Sequence, residues 1–141
     1  MKGFIAVFKE KQTGLLDTIS TWDSSRFYKE RLEEIAEMEA NEDYINEQLF
    51  MFTDHNLFLK KRLEVKVAEL KNYTAYKDEY LHEHNDLDEE VFEETKRLFE
   101  DQERNLMKGL AIRCGQCLFH GIEVTDEIAL QCYDLKESGK L

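Results

Sequence analysis

The 141-residue chain contains no proline. Proline interrupts helices more strongly than any other residue, because it lacks an N–H donor and its ring clashes with the preceding turn. Two stretches of the chain also carry apolar residues at helical spacing. They are Leu59, Leu63, Val67 and Leu70, and then Val91, Phe92, Leu98, Phe99, Leu106 and Leu110. The sequence therefore predicts two long, uninterrupted helices.

A polar segment, residues 82–88, separates these stretches and predicts how the helices connect. Asp88 is the expected N-cap of the second helix, because its carboxylate can accept a hydrogen bond from an N–H of the first turn. Gly115 or Gly121 is expected to end that helix. A short last helix from Ile128 to Glu137 follows, so the long helices should form an antiparallel hairpin with a helical cap.

The first 22 residues have the composition of a β-hairpin. Residues 3–9 and 15–20 are rich in aromatic and β-branched side chains, and a turn that ends in glycine lies between them. Ser24 or Ser25 is a candidate N-cap for a first helix over about residues 25–40.

Residues 41–70 fit two patterns. Their apolar residues continue a helical period, yet Leu63, Val65 and Val67 alternate as in a strand. From Leu57 onward Lys and Glu dominate the positions expected to be exposed, which favours a helix there. The part before Leu57 stays open between a helix and a second β-hairpin.

The predicted fold is α+β and mostly helical, with a nearly all-α chain as the alternative. A β-hairpin (residues 1–22) packs with a helical part (residues 23–141), and the whole length is expected to form one domain. A hairpin exposes strand edges that can pair with another chain. We therefore expect a homo-oligomer, for which the period of the first long helix, with Tyr73, Tyr76 and Tyr80, is either a seam between copies or core against the next helix.

Strong acidity restricts the partners. The formal net charge is −12 and the isoelectric point is about 4.8, so the chain repels phosphate backbones and anionic lipids. We expect no direct nucleic-acid binding and no membrane association, and a protein partner with a basic surface. Three cysteines do not form a secreted disulfide framework, which favours the cytoplasm.

Negative charge gathers around the predicted connection between the long helices, where it could imitate nucleic-acid phosphates. The residues of this acidic corner are Asp78, Glu79, Glu83, Asp86, Asp88, Glu89, Glu90, Glu93 and Glu94. A plain solubilising surface is the alternative interpretation.

A C-x2-C motif followed by a histidine is the clearest metal-binding pattern in the sequence. Cys114, Cys117, His120 and Cys132 could ligate a structural zinc ion, although cysteines three apart on an apolar helix also serve as small buried residues. The favoured expectation is that the protein binds no cofactor, and zinc is the alternative.

Motifs of catalysis are otherwise missing, since neither Gly-x-Ser-x-Gly nor a phosphate-binding glycine loop occurs. The favoured prediction is a non-enzymatic, acidic adaptor or inhibitor of a macromolecule such as a nucleic-acid-processing enzyme, of the kind that viruses encode. An alternative is a nucleotide- or metabolite-binding protein or enzyme whose pocket is lined by Trp22, Arg26, Tyr28 and Arg113. A zinc-stapled module is the third.

Overall fold

The structure, a computed structural model, describes residues 2–137. Its elements in chain order are β1 (Gly3–Glu10), β2 (Leu16–Trp22), α1 (Tyr28–Ala40), β3 (Tyr44–Phe52), α2 (His55–Glu83), α3 (Glu89–Phe119) and α4 (Asp126–Glu137). The predicted α+β, mostly helical class is confirmed, with the N-terminal hairpin, the long helical hairpin and the short C-terminal helix in place. Within the described residues, none of the helices has the length and apolar character needed to cross a membrane.

Strand β1 lies in the centre of an antiparallel sheet of order β2-β1-β3 and is covered on both faces. Ile5 belongs to the core cluster that α2 and α3 build on one face. Ala6 and Phe8 pack with Ile35 of α1 on the other face. A strand buried on both sides reads as a continuous apolar run, which is the pattern of residues 3–8. The molecule therefore has three layers, with α1, the sheet and the helical hairpin in that order.

Strand β3 resolves the ambiguous segment. It pairs with β1 from Gly3↔Phe52 to Glu10↔Tyr44, inside the segment that the sequence left open between a helix and a second β-hairpin. A register shift opposite Val7 and Phe8 leaves Glu47 without a partner, which is a β-bulge. The helix favoured from Leu57 onward is present and begins two residues earlier, so a second hairpin through Leu57 is wrong.

Helix α2 contacts the free edge of the outer strand β2. At β2 the side chain of Asn72 accepts a hydrogen bond from the N–H of Leu16 (3.0 Å) and donates one to the carbonyl of Gly14 (3.1 Å). Helix α2 thus covers the edge of the N-terminal hairpin. Covering is one of the ways in which proteins protect a strand edge from pairing with another chain.

Both ends of α3 follow local sequence signals, whereas the start of α1 does not. The carboxylate of Asp88 accepts a hydrogen bond from the N–H of Glu90 (3.0 Å), as expected of an N-cap. Of the two candidate glycines, Gly121 ends α3: its φ is 70°, and the N–H of Ile122 donates to the carbonyl of Cys117 in a Schellman motif. The serine cap of α1 is wrong, because Ser25 closes the preceding turn and α1 begins at Tyr28.

Candidate functional site

The far end of the helical hairpin carries most of the negative charge. We call residues 77–101 the arm. It contains eleven carboxylates and three basic side chains, a formal net charge of −8 out of −12 for the whole chain. The remaining residues are close to balanced, so the acidity of this protein is a local property.

The arm projects from the body of the molecule. Asn72 is the residue of α2 that grips the β1–β2 turn, and α2 continues for eleven residues beyond it, or about 16 Å at the helical rise. The hydrogen bonds, ion pairs and ring contacts of the arm stay within one helix or join α2 to α3. Within residues 2–137 none of them reaches the sheet, α1 or α4.

Aromatic rings hold the two helices of the arm and its base together. The ring of Phe99 on α3 lies 5.1 Å from that of Tyr80, 5.9 Å from that of Tyr76 and 6.0 Å from that of Tyr73. Tyr80 also stacks on His84 at 4.0 Å. The tyrosines of α2 therefore pack against α3. Of the two predicted interpretations, core against the next helix is the one that matches their position.

An ion pair fixes the base of the arm. The ammonium of Lys77 lies 2.5 Å from Glu103 Oε2, and both side chains are largely buried. The hydrogen bond from Lys77 to Glu103 is the main cause that raises the pKa of Lys77 above its usual range. Lys77 therefore keeps its charge at neutral pH, and its ion pair with Glu103 joins α2 to α3 where the arm begins.

All nine carboxylates of the predicted acidic corner lie on the arm, and all are exposed. Asp88 caps α3, and Asp78 lies 3.7 Å from Lys77. Two more exposed carboxylates of α3, Glu100 and Asp101, extend the acidic surface beyond the predicted corner. A count of charges in a window of about 25 residues would have included them, because they continue the same helix. Burial is what usually shifts the pKa of a catalytic acid or base, and these exposed carboxylates lack it. The surface is therefore suited to binding positively charged groups.

The cysteines lie apart from the arm, where α3 meets α4. Cys114 and Cys117 are fully buried, and the thiol of Cys117 donates to the carbonyl of Leu59 (3.5 Å). Burial raises the pKa of Cys117, and burial with a hydrogen bond to Cys114 raises that of Cys132 to about 12. These environments favour the thiol form of both cysteines.

His120, the remaining candidate zinc ligand, packs its ring 5.3 Å from that of His55. Across the described residues no group of three or more His, Cys, Asp or Glu side chains is arranged to hold a metal ion. Cys114, Cys117 and Cys132 serve as core, which is the alternative that their helical spacing also predicted.

The four residues proposed to line a ligand pocket are not brought together. Tyr28 stacks near Phe4 on the α1 face of the sheet, whereas Trp22 is buried against α2 on the opposite face. Arg26 covers the ring of Phe27, and Arg113 lies in α3, where it donates to the carbonyl of Gly109. A groove of 450 Å³ between the sheet and α2 is lined by none of these four residues. Its lining is Val7, Lys9, Leu16, Glu47, Gln48, Val65, Ala68 and Asn72.

Comparison of the chain with protein-family models, with curated proteins and with solved structures finds no match.

Proposed function

We propose that this protein is a non-enzymatic interaction protein that uses the arm to bind a basic surface of a macromolecular partner. The observation that carries the proposal is the concentration of two thirds of the net charge on a projecting element. A solubilising charge needs no such segregation. A field of one sign on a narrow projection attracts a partner of opposite sign over about 10 Å at ordinary ionic strength.

The partner class that fits best is an enzyme that processes DNA or RNA. Such enzymes hold phosphates through Lys and Arg in grooves, and a rigid helical hairpin about as wide as two helices can enter a groove of that kind. Bound there, the arm would exclude the nucleic acid, which makes the protein an inhibitor. This role is typical of proteins that viruses encode against host enzymes, and the free cysteines are compatible with an interaction in the cytoplasm.

The test is competition between this protein and a nucleic acid for purified DNA- and RNA-processing enzymes. Four exposed arm carboxylates, Glu79, Glu83, Glu93 and Glu94, are changed to Gln in the arm variant. The matched control changes four exposed carboxylates outside the arm, Glu30, Glu33, Glu37 and Glu42, so that both variants have the same net charge.

We expect the wild type and the control to displace nucleic acid from at least one enzyme, with displacement that weakens as salt rises. The arm variant should lose most of this effect. If the two variants compete equally well, the net charge matters and the arm does not. If the wild type displaces nucleic acid from none of the enzymes, the inhibitor role is wrong.

A further inference from the structure

An exposed line of apolar residues runs along α3. Val91, Leu98, Asn105, Ile112 and Phe119 follow each other at intervals of seven residues. The four apolar members are exposed by 49%, 61%, 60% and 87% in that order, and Asn105 is exposed as well. We call these five residues the α3 stripe.

The α3 stripe lies outside the hydrophobic core of the single chain. The buried residues of α3 include Leu106, Leu110, Cys114 and Cys117, which pack with α2, α4 and the sheet. Residues seven apart drift by about 20° around a helix, so the five members of the stripe wind by roughly 80° on another side of α3. Helices that pack along each other carry apolar residues at two positions of every seven, and the stripe supplies one of these two positions.

The position of the asparagine in the stripe is also informative. Asn105 is the middle member, with two apolar residues on each side. A polar residue at one core position of a helix pair fixes the register and the number of helices that associate. Only one alignment of the two helices lets the side-chain amides of the two polar residues meet. The stripe is symmetric about this residue, as a two-fold axis through Asn105 would require.

Charge decides the direction in which two copies of α3 can align. Residues 89–104 carry seven carboxylates and three basic side chains, a net charge of −4. Residues 105–119 carry two basic side chains and no carboxylate, a net charge of +2. A parallel pair would place the two acidic halves side by side, whereas an antiparallel pair places each acidic half beside a basic one.

We propose that the α3 stripe binds the stripe of a second copy of this chain in an antiparallel, two-fold symmetric pair centred on Asn105. Leu98 then lies level with Ile112 of the second copy, and Val91 lies level with Phe119 of the second copy. Asp101 comes beside Lys108 of the second copy, and both of these side chains are exposed in the single chain. The dimer carries its two arms at opposite ends, and it does not depend on the proposed function.

Oligomeric state tests the pairing. Sedimentation equilibrium of the wild type should show a reversible monomer–dimer equilibrium. Leu98→Glu should shift it to monomer, because it places a carboxylate on the stripe. Asn105→Leu should strengthen the dimer at least about tenfold, since a buried leucine replaces a buried amide.

The matched control is Met51→Glu, which puts the same charge on an apolar residue that is 62% exposed on β3, away from the stripe. It should dimerise like the wild type. Circular dichroism checks that each variant is folded, which is expected because both positions face solvent in the single chain. A wild type that stays monomeric at every concentration, or a dimer that Leu98→Glu leaves intact, overturns the proposal.

Disulfide trapping tests the direction of the pair. Isotope-labelled Leu98→Cys is mixed with unlabelled Ile112→Cys and oxidised, and mass spectrometry identifies the cross-linked species, with the wild type as the background. The antiparallel pair predicts cross-links between the two variants and almost none within either alone, because identical positions lie about 21 Å apart. Cross-linking of Leu98→Cys with itself in preference to the mixture would show a parallel pair and contradict the proposal.

Discussion

Glu69 is a carboxylate on the face of α2 that packs on the sheet, and it is only 9% exposed. The hydroxyl of Thr18 donates to its Oε2 at 2.5 Å, and the ammonium of Lys66 lies 3.3 Å from the same oxygen. Lys61 and Glu64 form a pair with the same i,i+3 spacing in which Glu64 is about half exposed. The two pairs thus differ mainly in burial.

Glu69→Ala should lower the free energy of unfolding by about 3 kcal/mol, because it removes both the carboxylate that pairs with the largely buried ammonium of Lys66 and the acceptor of the Thr18 hydroxyl. Glu64→Ala, the matched change in the exposed pair, should cost less than about 1 kcal/mol. Urea unfolding of both variants measures the difference. Equal losses would mean that burial of the Lys66–Glu69 pair has no energetic consequence.

His55 should make the stability depend on pH. Its ring lies 4.8 Å from that of Trp22 and 5.3 Å from that of His120. Burial, the neighbouring His120 and Arg62 lower the pKa of His55 below the ordinary value of 6.5. The unfolded chain therefore binds a proton more readily than the folded one. The contribution of His55 to stability is complete above pH 6.5 and is lost as the pH falls through 6.5 towards the lowered value.

The free energy of unfolding should thus fall between about pH 7.5 and pH 5, and His55→Gln should reduce this slope even if it lowers stability at every pH. His82→Gln, on the exposed end of α2, serves as the control and should keep the slope of the wild type. A slope that His55→Gln leaves unchanged would assign the pH dependence to other groups.

Single residues were predictable from sequence where their partner is near in the chain. Asp88 caps the helix that begins at the next residue, and Gly121 ends one with a left-handed φ, so a few neighbouring letters carry the signal. The partner of Glu69 is Thr18, 51 residues away. That contact depends on how α2 crosses the sheet, which no local pattern encodes, and Glu69 reads in the sequence as one more exposed acid.

At the scale of elements, two glycines near the C-terminus of α3 have opposite roles, one inside the helix and one just after its end. Gly115 lies within the helix, is exposed and has no atom within 4 Å of the position that a Cβ would occupy. Gly121 has a φ of 70° in the Schellman motif that ends the helix. The same substitution should therefore have opposite effects at the two positions.

Gly115→Ala should raise the free energy of unfolding by about 1 kcal/mol, because alanine favours the helix and meets no neighbour. Gly121→Ala should lower it by about 1 to 2 kcal/mol, because a Cβ is strained in the left-handed region. Urea unfolding at a concentration where the chain is monomeric measures both. Two changes of the same sign would contradict this assignment of the glycines.

Strand β3 shows why one element escaped a firm prediction. A regular strand alternates between its two faces, but the bulge at Glu47 shifts the alternation in the middle of the strand. Ile45 faces the side of the helical hairpin, whereas Leu49 and Met51 face the side of α1, and all three are exposed. The resulting apolar pattern mimics a helical period. The helical hairpin was predictable, because its stripes continue over many turns without such a shift.

For the whole molecule, charge and fold are divided between two regions. The sheet, α1 and the part of the helical hairpin outside the arm contain the buried clusters. The arm contains most of the net charge. The acidic corner was predictable from sequence because charge needs no partner to be counted. Its projection from the body was not, because that follows from where Asn72 grips the β1–β2 turn.

The charges of the arm should lower the free energy of unfolding wherever they lie at the unfavourable end of a helix dipole. Glu79 and Glu83 lie near the C-terminus of α2, where a negative charge is unfavourable, and Glu89 and Glu90 lie in the first turn of α3, where it is favourable. Changing Glu79 and Glu83 to Gln should raise the free energy of unfolding by about 1 kcal/mol at low salt, because it relieves both the dipole and the repulsion among carboxylates.

Changing Glu89 and Glu90 to Gln removes the same charge but should leave stability unchanged or lower it, because the lost dipole interaction offsets the relieved repulsion. Thermal unfolding of both double variants at low and high sodium chloride measures the contrast, which should shrink as salt screens the charges. Equal stabilisation by the two changes would show that only total charge matters. The expected contrast would mean that Glu79 and Glu83 are retained at a cost to folding, as residues that serve binding rather than stability are.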